Sequence, residues 1–140
     1  MNRRHPRIVA VDDDPLQLEL LARGLEFEGF EVATISGPIG ITQLVRSFVP
    51  DIALVDLHIP GLRGDRIIEL IRPVAPPTLK YFLISSCTES ELRLRALETS
   101  AHGWFSKSLS MPELAGRLKA VLGRPRGAWL NPASPEETER

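Results

Sequence analysis

The chain predicts an α/β fold, a doubly wound parallel sheet of five strands built as five strand-helix units. Three observations predict it. Five short apolar runs, rich in β-branched and aromatic residues, recur along the 140 residues. Each is followed by a segment whose apolar residues repeat at helical spacing. The central runs, such as 52–55, lack polar alternation, which marks strands covered on both faces. Right-handed crossovers between such units place helices on both sides of a parallel sheet.

The elements follow in order. Strand β1 is expected over 7–11, where Ile8-Val9-Ala10-Val11 runs straight into Asp12-Asp13-Asp14-Pro15. Helix α1 then has Asp14 as N-cap, Pro15 as first helical residue, a stripe of Leu18, Leu21, Ala22 and Leu25, and Gly29 as its stop signal. Strand β2 spans 31–35, and helix α2 carries Ile41, Leu44, Val45 and Phe48 on one face. Strand β3 covers 52–57, and helix α3 runs from about 64 to 74, ending before Pro76-Pro77. Strand β4 is 79–84, helix α4 89–99 and strand β5 103–106; helix α5 is marked by Leu114, Leu118, Val121 and Leu122. After Gly123 the periodicity stops. Residues 1–6 therefore read as a flexible arm, 7–123 as one domain, and 124–140, with Pro125, Pro132 and Pro135, as a disordered or loosely docked tail.

Composition narrows the function. At 43% apolar and 25% charged residues the chain can bury a core, and its net charge of -1 gives no global field for nucleic acid or membrane. The apolar run after the basic start ends at Asp12, too short for a signal h-region or a membrane span. The single cysteine, Cys87, excludes an internal disulfide and suits a reducing compartment, so a cytoplasmic protein is expected.

The polar residues form a constellation on this scheme. Asp12 and Asp13 end β1, Asp56 ends β3, Ser85 follows β4 and Lys107 follows β5. Parallel strands put all these ends on one edge, where open α/β sheets keep their chemistry. Three carboxylates gathered there repel one another, by about 3 kcal/mol per pair at about 5 Å and an effective dielectric of about 20. Lys107 offsets one charge. The remaining oxygen-rich cluster suits a hard divalent cation, Mg²⁺ above others. Such a cation binds phosphate oxygens, Lys107 and Ser85 reach others, and an Asp56 oxygen is placed to attack phosphorus.

Four stretches carry this constellation: Val-Asp-Asp-Asp-Pro at 11–15, Leu-Val-Asp-Leu-His-Ile-Pro-Gly-Leu-Arg-Gly at 54–64, Leu-Ile-Ser-Ser at 83–86 and Gly-Trp-Phe-Ser-Lys at 103–107. With them, from about Arg7 to Gly123, the chain resembles the receiver domain of bacterial two-component response regulators. The order and spacing of the four stretches agree jointly with the family pattern. The resemblance implies a flavodoxin-like strand order of 2-1-3-4-5. It implies Asp56 as phosphoacceptor, Asp13 as direct metal ligand, Asp12 as ligand through water and the His58 carbonyl as a further ligand. Lys107 would pair with phosphoryl oxygens, Ser85 would close on them, and Trp104 would be the switch aromatic that follows Ser85. His58 and Cys87, two positions beyond Asp56 and Ser85, would tune dephosphorylation. The donor would be a sensor histidine kinase or a histidine phosphotransferase.

Two departures from the family are visible. Ser108 stands where a proline joined by a cis peptide is usual; a trans bond there would bring Lys107 in from another angle and slow phosphorylation. Trp104 is bulkier than the usual tyrosine or phenylalanine, so its inward rotation is expected to be blocked. The chain is expected to be a stand-alone receiver acting through a downstream protein target. Its only chemistry would be self-phosphorylation and self-dephosphorylation, with no nucleic acid or membrane partner and with α4-β5-α5 as a candidate homodimer face. Two alternatives stand beside it. One is a receiver-like scaffold independent of phosphate. The other is a phosphatase similar to the haloacid dehalogenases, which would use Asp12 and Asp14 as its acid pair.

Overall fold

A computed structural model describes residues 5–57, 64–99 and 101–123. The strands are β1 Arg7–Val11, β2 Glu31–Ile35, β3 Ile52–Asp56, β4 Lys80–Ser85 and β5 Gly103–Ser106. The helices are α1 Pro15–Phe27, α2 Ile41–Phe48, α3 Gly64–Ile71, α4 Glu89–Thr99 and α5 Met111–Leu122. All strand pairs are parallel and their order is β2-β1-β3-β4-β5, as expected. The expected tail at 124–140 and residues 1–4 of the expected arm lie outside the described residues; Pro6 is tied to β2 by its carbonyl, which accepts the Glu31 N–H at 2.9 Å.

Alternation along each strand divides the core into two layers. Val9, Val11, Ala53, Val55, Tyr81, Leu83 and Trp104 face α2, α3 and α4. The intervening Ile8, Ile52, Leu54, Phe82, Ile84 and Phe105 face α1 and α5. Every residue of β3 is buried, because this strand is central and covered on both sides.

Helix α1 begins and ends by local rules. The Asp14 side chain accepts the Leu16 and Gln17 amides at 3.0 and 3.4 Å, with Pro15 in the first turn. At the other end Gly29 adopts φ +104°, Gly29 N–H bonds Glu26 O, and Phe30 N–H bonds Leu25 O. This is a Schellman motif, and the buried Leu25 and Phe30 share a core layer beneath it.

Three boundaries differ from expectation by a few residues. Strand β3 closes at Asp56, although Leu57 N–H still bonds Ile84 O at 3.1 Å. Strand β4 is shifted by one residue and includes Ser85. Helix α3 stops at Ile71 and not Val74, because Val74 and Ala75 both donate to Ile71 O in a turn that leads into Pro76. Helix α2 is capped at Val49, a β-branched residue held at φ +53°. That left-handed conformation costs a non-glycine residue about 1–2 kcal/mol. Val49→Gly is accordingly expected to raise stability by about 0.5–1 kcal/mol after the entropy of the added glycine is counted, and Tm by about 2–4 °C in thermal unfolding.

Candidate functional site at the carboxyl edge of the sheet

The run Val11-Asp12-Asp13-Asp14 divides its acids among different tasks. Asp14 turns back to cap α1. Asp12 is buried and its Oδ1 accepts the Asp14 N–H at 3.0 Å, an Asx turn that orients the carboxylate over the sheet edge. Asp13 is exposed between them. From β3, Asp56 reaches the same place and is 5% exposed. Carboxylate oxygens of Asp12, Asp13 and Asp56 all lie within 4.8 Å of one another.

Lys107 enters this acidic cluster from the far side. Its backbone N–H bonds Ser85 O at 2.9 Å, which continues the β4-β5 ladder past Ser106. Its ammonium donates to Asp12 Oδ2 at 3.0 Å and to Asp56 Oδ2 at 3.4 Å. Burial opposes the charged form of Asp12, but the hydrogen bond from the Asp14 amide and the contact with the Lys107 ammonium outweigh it, and the carboxyl is held below its ordinary value. Burial likewise opposes the Lys107 ammonium, yet Asp12 and Asp56 raise its pKa above the ordinary lysine value. At neutral pH the pair is therefore charged on both sides. Three acids still face one ammonium, and the surplus negative charge on clustered oxygens fits a small divalent cation.

Ser85 is 1% exposed at the end of β4, and its hydroxyl accepts the Cys87 N–H at 3.2 Å. The neighbouring Ser86 is exposed. Cys87 is half-buried beside the α4-side core. His58 lies outside the described residues. The Lys107–Ser108 peptide is trans, since the described residues contain no cis bond. The loop is instead closed by serine hydroxyls, with Ser106 Oγ 2.7 Å from Ser108 Oγ and accepting the Ser108 N–H at 3.1 Å. Lys107 reaches both acids from this loop.

Trp104 corrects an expectation. Its ring is already turned inward and 4% exposed, packed in the layer beneath α4. The same layer includes the small side chains Ala96, Cys87 and Ala101. The indole N–H has no hydrogen-bond partner among the described residues. An unpaired buried donor costs about 1–3 kcal/mol. Trp104→Phe removes that donor along with one ring, so unfolding should show a net loss below about 1 kcal/mol, well under the usual cost of shrinking a buried aromatic. If Trp104 also serves as the switch, the same variant will change partner binding by the phosphorylated protein.

Two features of the site were not read from the sequence. Lys107 binds Asp12 more closely than it binds Asp56, and Asp12 is locked by the Asp14 amide. An Asx turn was legible in Asp12-Asp13-Asp14; that Lys107, expected to offset one charge of the cluster, sits closer to Asp12 than to Asp56 was not, because the contact joins residues 95 positions apart.

The family model for the response regulator receiver domain matches residues 8–119. The DNA-binding response regulator MtrA of Mycolicibacterium smegmatis is 32% identical over 124 residues, covering 89% of this chain and 54% of that protein. The phosphate regulon transcriptional regulatory protein PhoB of Rhizobium meliloti is 35% identical over 130 residues, covering 90% of this chain and 56% of that protein. The chain thus spans about half the length of these curated relatives. Among solved structures, a CheY-like receiver domain protein from Methanospirillum hungatei JF-1 superposes with a TM-score of 0.73 at 24% identity, over 84% of this chain and 94% of that one, and shares the fold.

Proposed function

The chain belongs to the response regulator receiver domain family, and from that premise we propose that Asp56 accepts a phosphoryl group from a phosphohistidine on a sensor histidine kinase or a histidine phosphotransferase. An Asp56 oxygen attacks phosphorus as the N–P bond breaks, and the bonding pair returns to the imidazole nitrogen. The observation that carries this reading is the Lys107 ammonium bridging Asp12 and Asp56 at the carboxyl edge of the sheet. Lys107 keeps Asp56 oriented before transfer and follows the charge onto the phosphoryl oxygens afterwards. Ser85, at the adjacent strand end, supplies a hydroxyl for another of those oxygens.

Asp12, Asp13 and Asp56 fit Mg²⁺ by their oxygen chemistry and their mutual spacing. The His58 carbonyl joins them as the family resemblance implies. When bound, the ion supplies charge neutralisation for the transferred group. Asp14 is supported less well as half of a phosphatase acid pair, since its carboxylate serves the α1 amides. Hydrolysis of the acyl phosphate, tuned by His58 and Cys87, returns the domain to its starting state.

Output in this reading runs through the α4-β5 surface, where Ser85 and Trp104 connect the phosphoryl site to the layer beneath α4. The partner is a downstream protein or a second copy of the domain through α4-β5-α5. The setting is cytoplasmic, in keeping with a described chain that holds no helix long and apolar enough to cross a membrane. The test is the intact mass of the protein after brief incubation with a small acyl phosphate and Mg²⁺. One added phosphoryl group, absent after chelation, is expected. Unchanged mass, together with no beryllofluoride binding, would overturn the proposal in favour of a phosphate-independent scaffold.

A further inference from the structure

A cavity of about 130 Å³ lies on the α1-α5 side of the sheet, next to the acidic cluster and sharing Asp12 and its partner Lys107 with it. Its walls are apolar: Leu21 from α1, Leu54 and Ile84 from the sheet, and Met111 and Leu114 from α5. The polar part of its lining is Gln17 in the first turn of α1, Ser106, and the Asp12–Lys107 pair. Met111 is an adaptable wall. Its side chain rests on α1 at Gly24, where an added Cβ would come within 2.5 Å of its methyl carbon.

Size and charge define what fits. An apolar cavity of about 150 Å³ admits benzene, so this one, which is partly open to solvent, is matched in size to a single six-membered ring. Asp12 and Lys107, the two charged residues in the lining, are already paired with each other at 3.0 Å. An anionic head would compete with the Asp12 carboxylate for Lys107, whereas a neutral head meets Gln17 and Ser106 in the lining without disturbing the pair. We propose that the cavity is a binding site for a neutral monocyclic aromatic molecule bearing one hydroxyl or comparable hydrogen-bonding group. The occupant contacts the Lys107 side chain, and through it touches the ammonium that bridges Asp12 and Asp56. The site goes beyond the phosphoacceptor reading and does not depend on it.

Phenol is the probe, with benzoate as the same ring carrying a carboxylate. Methyl-resolved NMR titration of the full chain should show saturable shifts at Met111 and Leu114, accompanied by the Lys107 Cε resonance. Benzoate should bind at least tenfold more weakly. Leu21→Phe fills the cavity from α1 and should weaken phenol binding at least tenfold; Leu109→Phe, from the loop that lines the same cavity, does so where the first variant does not fold. Absence of saturable shifts with phenol overturns the proposal. So does phenol binding that survives the cavity-filling variant unchanged, and so does benzoate binding as tight as phenol.

Discussion

Asp56→Asn is expected to leave the protein without a phosphoryl group after any incubation with donor and Mg²⁺, while the fold remains intact. The amide is nearly isosteric with the carboxylate but is not a nucleophile toward phosphorus, so transfer falls by many orders of magnitude and not by a partial factor. Folding should not suffer, because Asp56 is one of three acids crowded around a single ammonium. Removing its charge relieves repulsion with Asp12 and Asp13 while giving up the longer of the two Lys107 contacts, at 3.4 Å. Metal affinity should drop with it. Intact-mass spectrometry reads the first effect and Mg²⁺ titration followed by thermal unfolding reads the second. A phosphoryl group found on the Asp56→Asn protein would move the acceptor to another residue.

Lys107→Ala is the counterpart, with the opposite sign on stability. It removes the cation shared by Asp12 and Asp56, both 5% exposed. Breaking a buried pair by removing one partner costs about 3–5 kcal/mol; discounted for the partial exposure of Lys107, a loss of about 2 kcal/mol is expected. Millimolar Mg²⁺ should restore most of that loss, since a divalent ion on the acid cluster replaces the missing positive charge. The same ion should stabilise the wild-type protein less, because Lys107 already neutralises one acid. Unfolding of both proteins with and without Mg²⁺ checks this. Equal shifts in the two would show that Lys107 and the ion do not share the site.

The pH dependence of that difference has a definite shape. The folded pKa of Asp12 is lowered, so its contribution is present above its unfolded value of about 4 and is lost as pH falls through the lower folded value. The folded pKa of Lys107 is raised, so its contribution is present below its unfolded value of about 10.4 and is lost as pH rises through the higher folded value. The stability difference between wild type and Lys107→Ala should therefore be flat across neutral pH and collapse in strong acid and strong base. Urea unfolding at a series of pH values measures it.

Much of this protein was determined by its sequence alone, because the signals are local. Apolar runs and the helical segments between them marked all ten elements, with β1, β2 and β5 bounded as they lie and β3 and β4 to within one residue. Asp14-Pro15 and Gly29 carry the ends of α1 within a few bonds of themselves. The order of Asp12, Asp56, Ser85 and Lys107 along the chain, each at a strand end, was enough to place them on one edge once the strands were taken as parallel. What only the tertiary structure decided are the relations across the sheet. Lys107 meets Asp12 because its long side chain reaches from the end of β5 across the carboxyl ends of β4 and β3, which lie between β5 and β1 in the sheet. The inward Trp104, with an indole N–H that has no partner among the described residues, depends on the core layer that the sheet forms with α4. The cavity beside Lys107 exists where side chains from α1, α5 and the sheet fail to meet. Caps, turns and periodicity are settled by backbone groups within a few residues, whereas packing and charge pairing are settled by groups that approach one another only after the whole sheet has formed.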